Sequence, residues 1–178
     1  MRNRTSVLVL AATATIFAVA GCGGNSNGSA TASSPAPQPT ASTSPPAQAA
    51  PQDAKVVLNK LTEASVSLTG GVVQNEDTDP NDLLGRPNGY TSRASADLPG
   101  GNREGEKYGI DRGLVIEVFP TKDDADRRSK FIQESLKSMP ILGTEYHYRT
   151  DEGRVLVRVS GKVKPSASKK IEQAVSKL

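Results

Sequence analysis

Leu114-Val115-Ile116-Glu117-Val118-Phe119 is the stretch that decides the fold of this 178-residue chain. It is apolar on both faces except at Glu117, the pattern of a strand covered on both sides at the centre of a sheet. Just after it, Thr121 and Asp124 fit a helix capping box, with Asp in place of the usual Glu. Ala125, Ile132, Leu136 and Met139 then supply a buried stripe, and Pro140 and Gly143 end the helix. Thr144 to Thr150 and Arg154 to Ser160 read as a hairpin around Asp151-Glu152-Gly153. In its second strand Val155, Val157 and Val159 face one side, and Arg154, Leu156 and Arg158 the other. Pro165 opens a last helix, with Ala167, Ile171, Ala174, Val175 and Leu178 at helical spacing.

Upstream, Tyr90, Ser92, Ala94, Ala96 and Leu98 alternate with Thr91, Arg93, Ser95 and Asp97, which predicts a half-buried strand. Pro99 to Gly113 reads as a charged, Gly-rich loop. Asp53 suits the N-cap of a first helix whose inner face is Ala54, Val57, Leu58, Leu61, Ala64 and Leu68. Gly70-Gly71 is expected to stop that helix, and Val72-Val73 to begin a short strand. Asp79-Pro80-Asn81-Asp82 reads as a capped helical turn closed by Gly85. Hairpins mixed with helices predict an α+β fold: a single small domain over residues 53–178, with a mainly antiparallel sheet and helices packed on one face. Aromatic residues make up only 4% of the chain and Trp is absent, so the core must be aliphatic.

The first fifty residues follow different rules. Arg2 and Arg4 precede an apolar run from Val7 to Ala20, the layout of a signal peptide over residues 1–21. The run is short and rich in Ala and Thr, whereas a permanent spanning helix wants ~20 strongly apolar residues. Val19-Ala20-Gly21-Cys22 resembles the bacterial lipobox, with Val in place of the usual Leu. The resemblance implies cleavage before Cys22 and lipidation of its sulfur, hence a lipid anchor holding the protein at the extracytoplasmic face of the cell membrane. A lipobox cysteine carries at least two acyl chains, and two chains make a stable anchor where one holds only marginally. Cys22 is the sole cysteine. Residues 22–52 are then a linker: from Gly23 to Gln52 no residue is charged, and Ser, Thr, Ala, Pro, Gly, Gln and Asn dominate. That composition cannot offset ordering entropy, so the linker is expected to be disordered. Its Pro-rich part biases toward polyproline II at ~3.1 Å per residue.

The formal net charge of +3 invites a nucleic-acid reading. Processing removes Arg2 and Arg4 and no acid, leaving 20 basic against 19 acidic side chains. Nucleic acid is therefore not an expected partner. An asymmetry survives: 13 basic and 18 acidic residues lie between Asp53 and Gly153, against 7 and 1 from Arg154 onward. Such a basic end suits anionic headgroups or cell-wall polymers, but a solvated strand face and helix back is the favoured reading.

Chemistry is harder to place. One His and one Cys give no usual zinc or iron site. His147 is the only imidazole, and alternation points it away from Tyr146 and Tyr148, as a surface strand histidine. The one G-x-S-x-G match, Gly24-Asn25-Ser26-Asn27-Gly28, falls in the linker, so no strand-to-helix elbow is expected from it, and Gly153 to Lys162 lacks Walker A spacing. Asp77, Asp79 and Asn81 occupy the first calcium-loop positions, but Asp82 replaces the Gly and Asn88 the closing Glu. No catalytic residue, metal or cofactor is assigned on these grounds. The remaining candidate interaction surface is Leu83, Leu84 and Arg86 within a Gly/Pro-shaped loop, edged by Tyr90, Arg93 and Tyr108. The same leucines suit, and rather better, a plug in the core beside the first helix.

Asp79-Pro80-Asn81-Asp82-Leu83-Leu84-Gly85-Arg86-Pro87, Tyr90-Thr91-Ser92, Ile116-Glu117-Val118-Phe119 and Leu156-Val157-Arg158-Val159-Ser160-Gly161 together resemble a family of small lipoproteins of actinobacteria and their temperate phages. Lys164-Pro165 departs from the family's Thr-Pro and loses its capping hydroxyl. The resemblance brings no biochemical activity with it. The expected function is a lipid-anchored, non-enzymatic binding module at the cell envelope. It would contact the membrane through Cys22 and an envelope protein or cell-wall polymer through its folded domain. The alternatives are phage-derived superinfection exclusion, which the resemblance suggests, and a cell-wall hydrolase or its accessory.

Overall fold

The computed structural model describes residues 52–64, 66–150 and 152–178. The signal segment, Cys22 and the linker up to residue 51 lie outside the described residues, as does Asp151 of the hairpin turn. The elements are α1 (Ala54–Glu63), β1 (Thr69–Val73), β2 (Ser92–Asp97), β3 (Gly113–Val118), α2 (Lys122–Ser138), β4 (Glu145–Arg149), β5 (Val155–Ser160) and α3 (Pro165–Val175). Short 3-10 turns at Ile110–Arg112 and Pro140–Leu142 precede β3 and follow α2. The five strands form one sheet in the order β1-β2-β3-β5-β4, antiparallel throughout. This is the expected α+β domain, and its apolar run lies at the centre: Ile116 pairs with Ala94 on one side and Val157 on the other.

One face of the sheet carries the aliphatic core. Ala94 and Ala96 of β2, Leu114, Ile116 and Val118 of β3, and Val155, Val157 and Val159 of β5 meet Val57, Leu58 and Leu61 of α1 and Ile171, Ala174 and Val175 of α3. Strand alternation puts the β residues on this face, and 3.6-residue periodicity turns the helical ones toward it. Asp53 caps α1 by accepting from the Lys55 amide, as expected. The opposite face has its own cover. α2 crosses it, with Ala125 packing among Tyr90, Phe119 and Leu156. Two helices thus share one face and the third lies across the other.

That cover changes the reading of β2. It was expected to be half-buried, yet Arg93 and Ser95 on its second face are buried too. The first helix ends at Glu63 instead of running to Gly70-Gly71, and Ala64 is exposed. The glycines belong to β1, where Gly71 lies against Leu58; a Cβ there would come within 3.1 Å of its side chain. They permit close approach of strand to helix and are no helix stop. Residues 79–85 form turns in place of a helical turn. Met139, expected in the buried stripe of α2, is exposed because the helix ends at Ser138 and the chain turns away.

Candidate functional site

Asp79 organises the loop that the sequence singles out. Its carboxylate accepts from the amides of Asn81, Leu83 and Leu84 and from the Tyr90 hydroxyl. Burial opposes this charge, but the four donors hold the carboxyl below its ordinary range. Burial and the bond to Asp79 push the Tyr90 phenol up. The loop is thereby folded down so that Leu83 and Leu84, half-buried, pack against Tyr90, Phe119, Ala125 and Leu156. They plug the core beside α2, on the far side of the sheet from α1. Arg86 is exposed and pairs with Asp82. Tyr90 and Arg93 are fully internal, so neither offers a surface to a partner. Tyr108 is half-buried at φ +65°, and its carbonyl accepts from Arg93 Nη2 at 2.9 Å. Of the six residues proposed as one surface, Arg86 is the one that stands free of the interior.

Arg93 leads instead into a charged layer between the sheet and α2. Its Nη1 donates to Gln74 at 2.8 Å, and its Nε faces Asp79 at 3.6 Å. Across the strand pair sits Glu117, which is 0% exposed. Glu117 accepts from Arg158 at 2.9 Å and meets Arg128 of α2 at 3.4 Å. Arg158 also makes two bonds of 2.8 Å to Glu145. Burial would raise the Glu145 carboxyl, but the bonds from Arg158 and His147 win and hold it down at about 2. Acids and bases alternate across the sheet, so each buried charge has an opposite partner, the condition under which burial of ions is tolerated.

His147 was expected at the surface and is not there. Its side chain is covered because α2 lies over this face. The imidazole meets Ser129 Oγ at 2.7 Å through Nδ1 and Glu145 Oε2 at 3.0 Å through Nε2. The distances are those of a Ser–His–carboxylate relay. Two features set it apart from a nucleophilic site. Glu145 is already held by both arms of Arg158. Ser129 sits in the middle of α2, where its own amide belongs to the helix ladder and is no oxyanion donor. The arrangement chiefly locks α2 onto β4, together with the Gln133 bond to the Glu145 carbonyl.

Two surface features were not visible as sites in the sequence. Between α1 and α3 runs a groove of about 500 Å³ lined by Lys60, Glu63, Lys170, Gln173 and Lys177 over a floor that includes Ala64 and Ala174. The structure sorts the basic C-terminal segment: Arg158 is consumed in the buried layer, Lys162 pairs with Asp111 and Lys169 with Glu172. Lys60, Lys170 and Lys177 form no ion pair among the described residues and converge on the groove. The second feature is apolar. Met139, Ile141 and Leu142 stand out at the end of α2, with Ile141 93% exposed.

Among the described residues no helix is long and apolar enough to cross a membrane, and no group of three or more His, Cys, Asp or Glu is placed to hold a metal ion. No protein-family model, curated protein or solved structure matches the chain.

Proposed function

We propose that this protein is a lipid-anchored binding module at the extracytoplasmic face of the cell membrane, and that it captures an anionic cell-wall polymer in the groove between α1 and α3. The observation that supports this reading is the convergence of Lys60 of α1, Lys170 of α3 and Lys177 of the turn after α3 on one concave surface, opposed there by Glu63 alone among acidic side chains. A row of ammonium groups along a groove suits a repeating anion, because each charge can meet a separate anionic group without a rigid match. The anchor comes from the lipobox resemblance at Val19-Ala20-Gly21-Cys22, and residues 22–52 supply the reach.

Two measurements test the two parts. Mass spectrometry of the mature amino terminus should find diacylglyceryl on Cys22; an unmodified cysteine ends the anchored reading. Purified protein should sediment with isolated cell walls, and less so as salt rises. Changing Lys60, Lys170 and Lys177 to Glu should weaken that binding on the order of tenfold or more, since several like-signed contacts become repulsive. Arg86→Glu, an equal charge change elsewhere, should not. Equal sedimentation of the triple variant removes the groove from the proposal.

A second reading, cell-wall hydrolysis, rests on the Ser129–His147–Glu145 contacts, and the Arg158-held carboxylate and mid-helix serine count against it. Release of muropeptides by the purified protein, lost in Ser129→Ala, would favour it over binding alone.

A further inference from the structure

We propose that the turn closing α2 is a membrane-docking element, with Met139, Ile141 and Leu142 entering the acyl boundary of an anionic bilayer while Lys130 and Lys137 meet its headgroups. The three large apolar side chains at this turn are exposed far beyond what their types usually show: Met139 by 48%, Ile141 by 93% and Leu142 by 56%. Scattered exposed leucines are ordinary, but three such residues in four positions at one protruding turn are not. The core does not need them, because Ala125 and Ile132 already fill the buried stripe of α2.

The turn is built rather than frayed. Pro140 opens the 3-10 turn, and the amides of Met139, Leu142 and Gly143 donate to Ser135, Met139 and Pro140 carbonyls at 2.9 to 3.0 Å. The apolar tip is therefore held out in one conformation before any partner arrives. Lys137, in the last turn of α2, forms no ion pair among the described residues, and Lys130, two turns further up the helix, has only Glu134 at 3.9 Å. An apolar tip beside lysines is the chemistry of an interfacial element on an anionic leaflet.

Chain length supplies the opportunity. This inference rests on the anchored reading for its local concentration. Cys22 to Gln52 is 31 residues, and a chain of that length spans at most roughly 100 Å at ~3.3 Å per residue. A domain of this size has a radius of gyration of about 14 Å. Any face can therefore come down on the bilayer, and a tether of this length keeps the tip near it continuously. α2 lies on the opposite side of the sheet from α1 and α3, so docking through its end leaves the cationic groove clear.

The absence of Trp and the single Cys22 make the test direct. Ile141→Trp places one fluorophore at the tip, where it disturbs no packing. The processed chain is coupled through Cys22 to maleimide-bearing lipid in vesicles of phosphatidylglycerol and phosphatidylcholine. Docking predicts a blue shift of the emission and quenching by lipids brominated along the acyl chain. Met139→Asp with Leu142→Asp in the same background should abolish both. Emission that stays at its free-solution wavelength on coupled vesicles overturns the proposal. So does a blue shift that rises with protein concentration without vesicles, which would assign the tip to a second copy. Coupling here is chemical, so a negative result speaks against the tip alone, while the natural lipidation of Cys22 stands or falls by mass spectrometry.

Discussion

Arg158 reaches two carboxylates at once, Glu117 at 2.9 Å and Glu145 at 2.8 Å, and all three are buried. Removing such a shared cation leaves Glu117 with Arg128 at 3.4 Å and Glu145 with His147 at 3.0 Å, two buried carboxylates stripped of their main partner. Arg158→Met should therefore cost about 3–5 kcal/mol. In a double-mutant cycle with Glu117→Gln the two losses should fall well short of additivity, measured by urea unfolding. Additive losses would mean that the pair is not coupled. Glu145 makes the same layer sensitive to acid. Its folded carboxyl titrates at about 2 against an ordinary 4.5. A depressed acid stabilises the fold above its unfolded value, and that contribution is lost as pH falls from about 4.5 toward 2. The contribution amounts to about 3 kcal/mol, from roughly 1.4 kcal/mol per pH unit. Glu145→Gln should be less stable than the parent near neutral pH, with the gap closing as pH falls toward about 2. A gap that stays constant with pH would remove Glu145 from the acid response. None of this layer shows in a hydropathy pattern. Arg93 read as the edge of a surface and Arg158 as one charge on the second face of its strand, and the strand register and the cover of α2 are what bring both to Glu117.

At the scale of elements, legibility follows from whether the signal is local. The centre of the sheet was readable because an apolar run flanked by two alternating strands has one solution. The start of α2 was readable because Thr121 accepts from the Asp124 amide at 3.1 Å, a bond internal to the motif. The end of α1 was not. Gly70-Gly71 looked like a stop, whereas the glycines serve a close approach to Leu58 that only the folded chain brings about. The loop carrying Leu83 and Leu84 is a similar case. Its turn residues were visible, but Asp79 directs it inward by bonding to Tyr90, eleven positions away. Gly89 is where that loop closes: its Cβ position is occupied by the Leu83 carbonyl oxygen. Gly89→Ala must push the loop off Tyr90 and Phe119, at a cost of about 2 kcal/mol or more. Thermal unfolding would show it, and an unchanged transition would mean that the loop is free to shift without disturbing the second core.

The molecule as a whole has two different sides set by its sheet. α1 and α3 offer a cationic groove, and the end of α2 offers an apolar tip, with strands buried on both faces between them. Among the described residues no hydrogen bond or ion pair joins Lys60, Lys170 or Lys177 to Met139, Ile141 or Leu142. Sites so separated are expected to contribute additively, within about 0.5 kcal/mol. Lys170→Glu should therefore weaken cell-wall sedimentation and leave the vesicle response of the Trp-bearing tip unchanged. Leu142→Asp should do the reverse, and the double variant should show both losses at their single-variant size. Mutual independence would fit a domain resting on the bilayer by one side and holding a polymer by the other. If Leu142→Asp also lowered cell-wall binding, the two surfaces would be parts of one interface and the two-sided arrangement would fail.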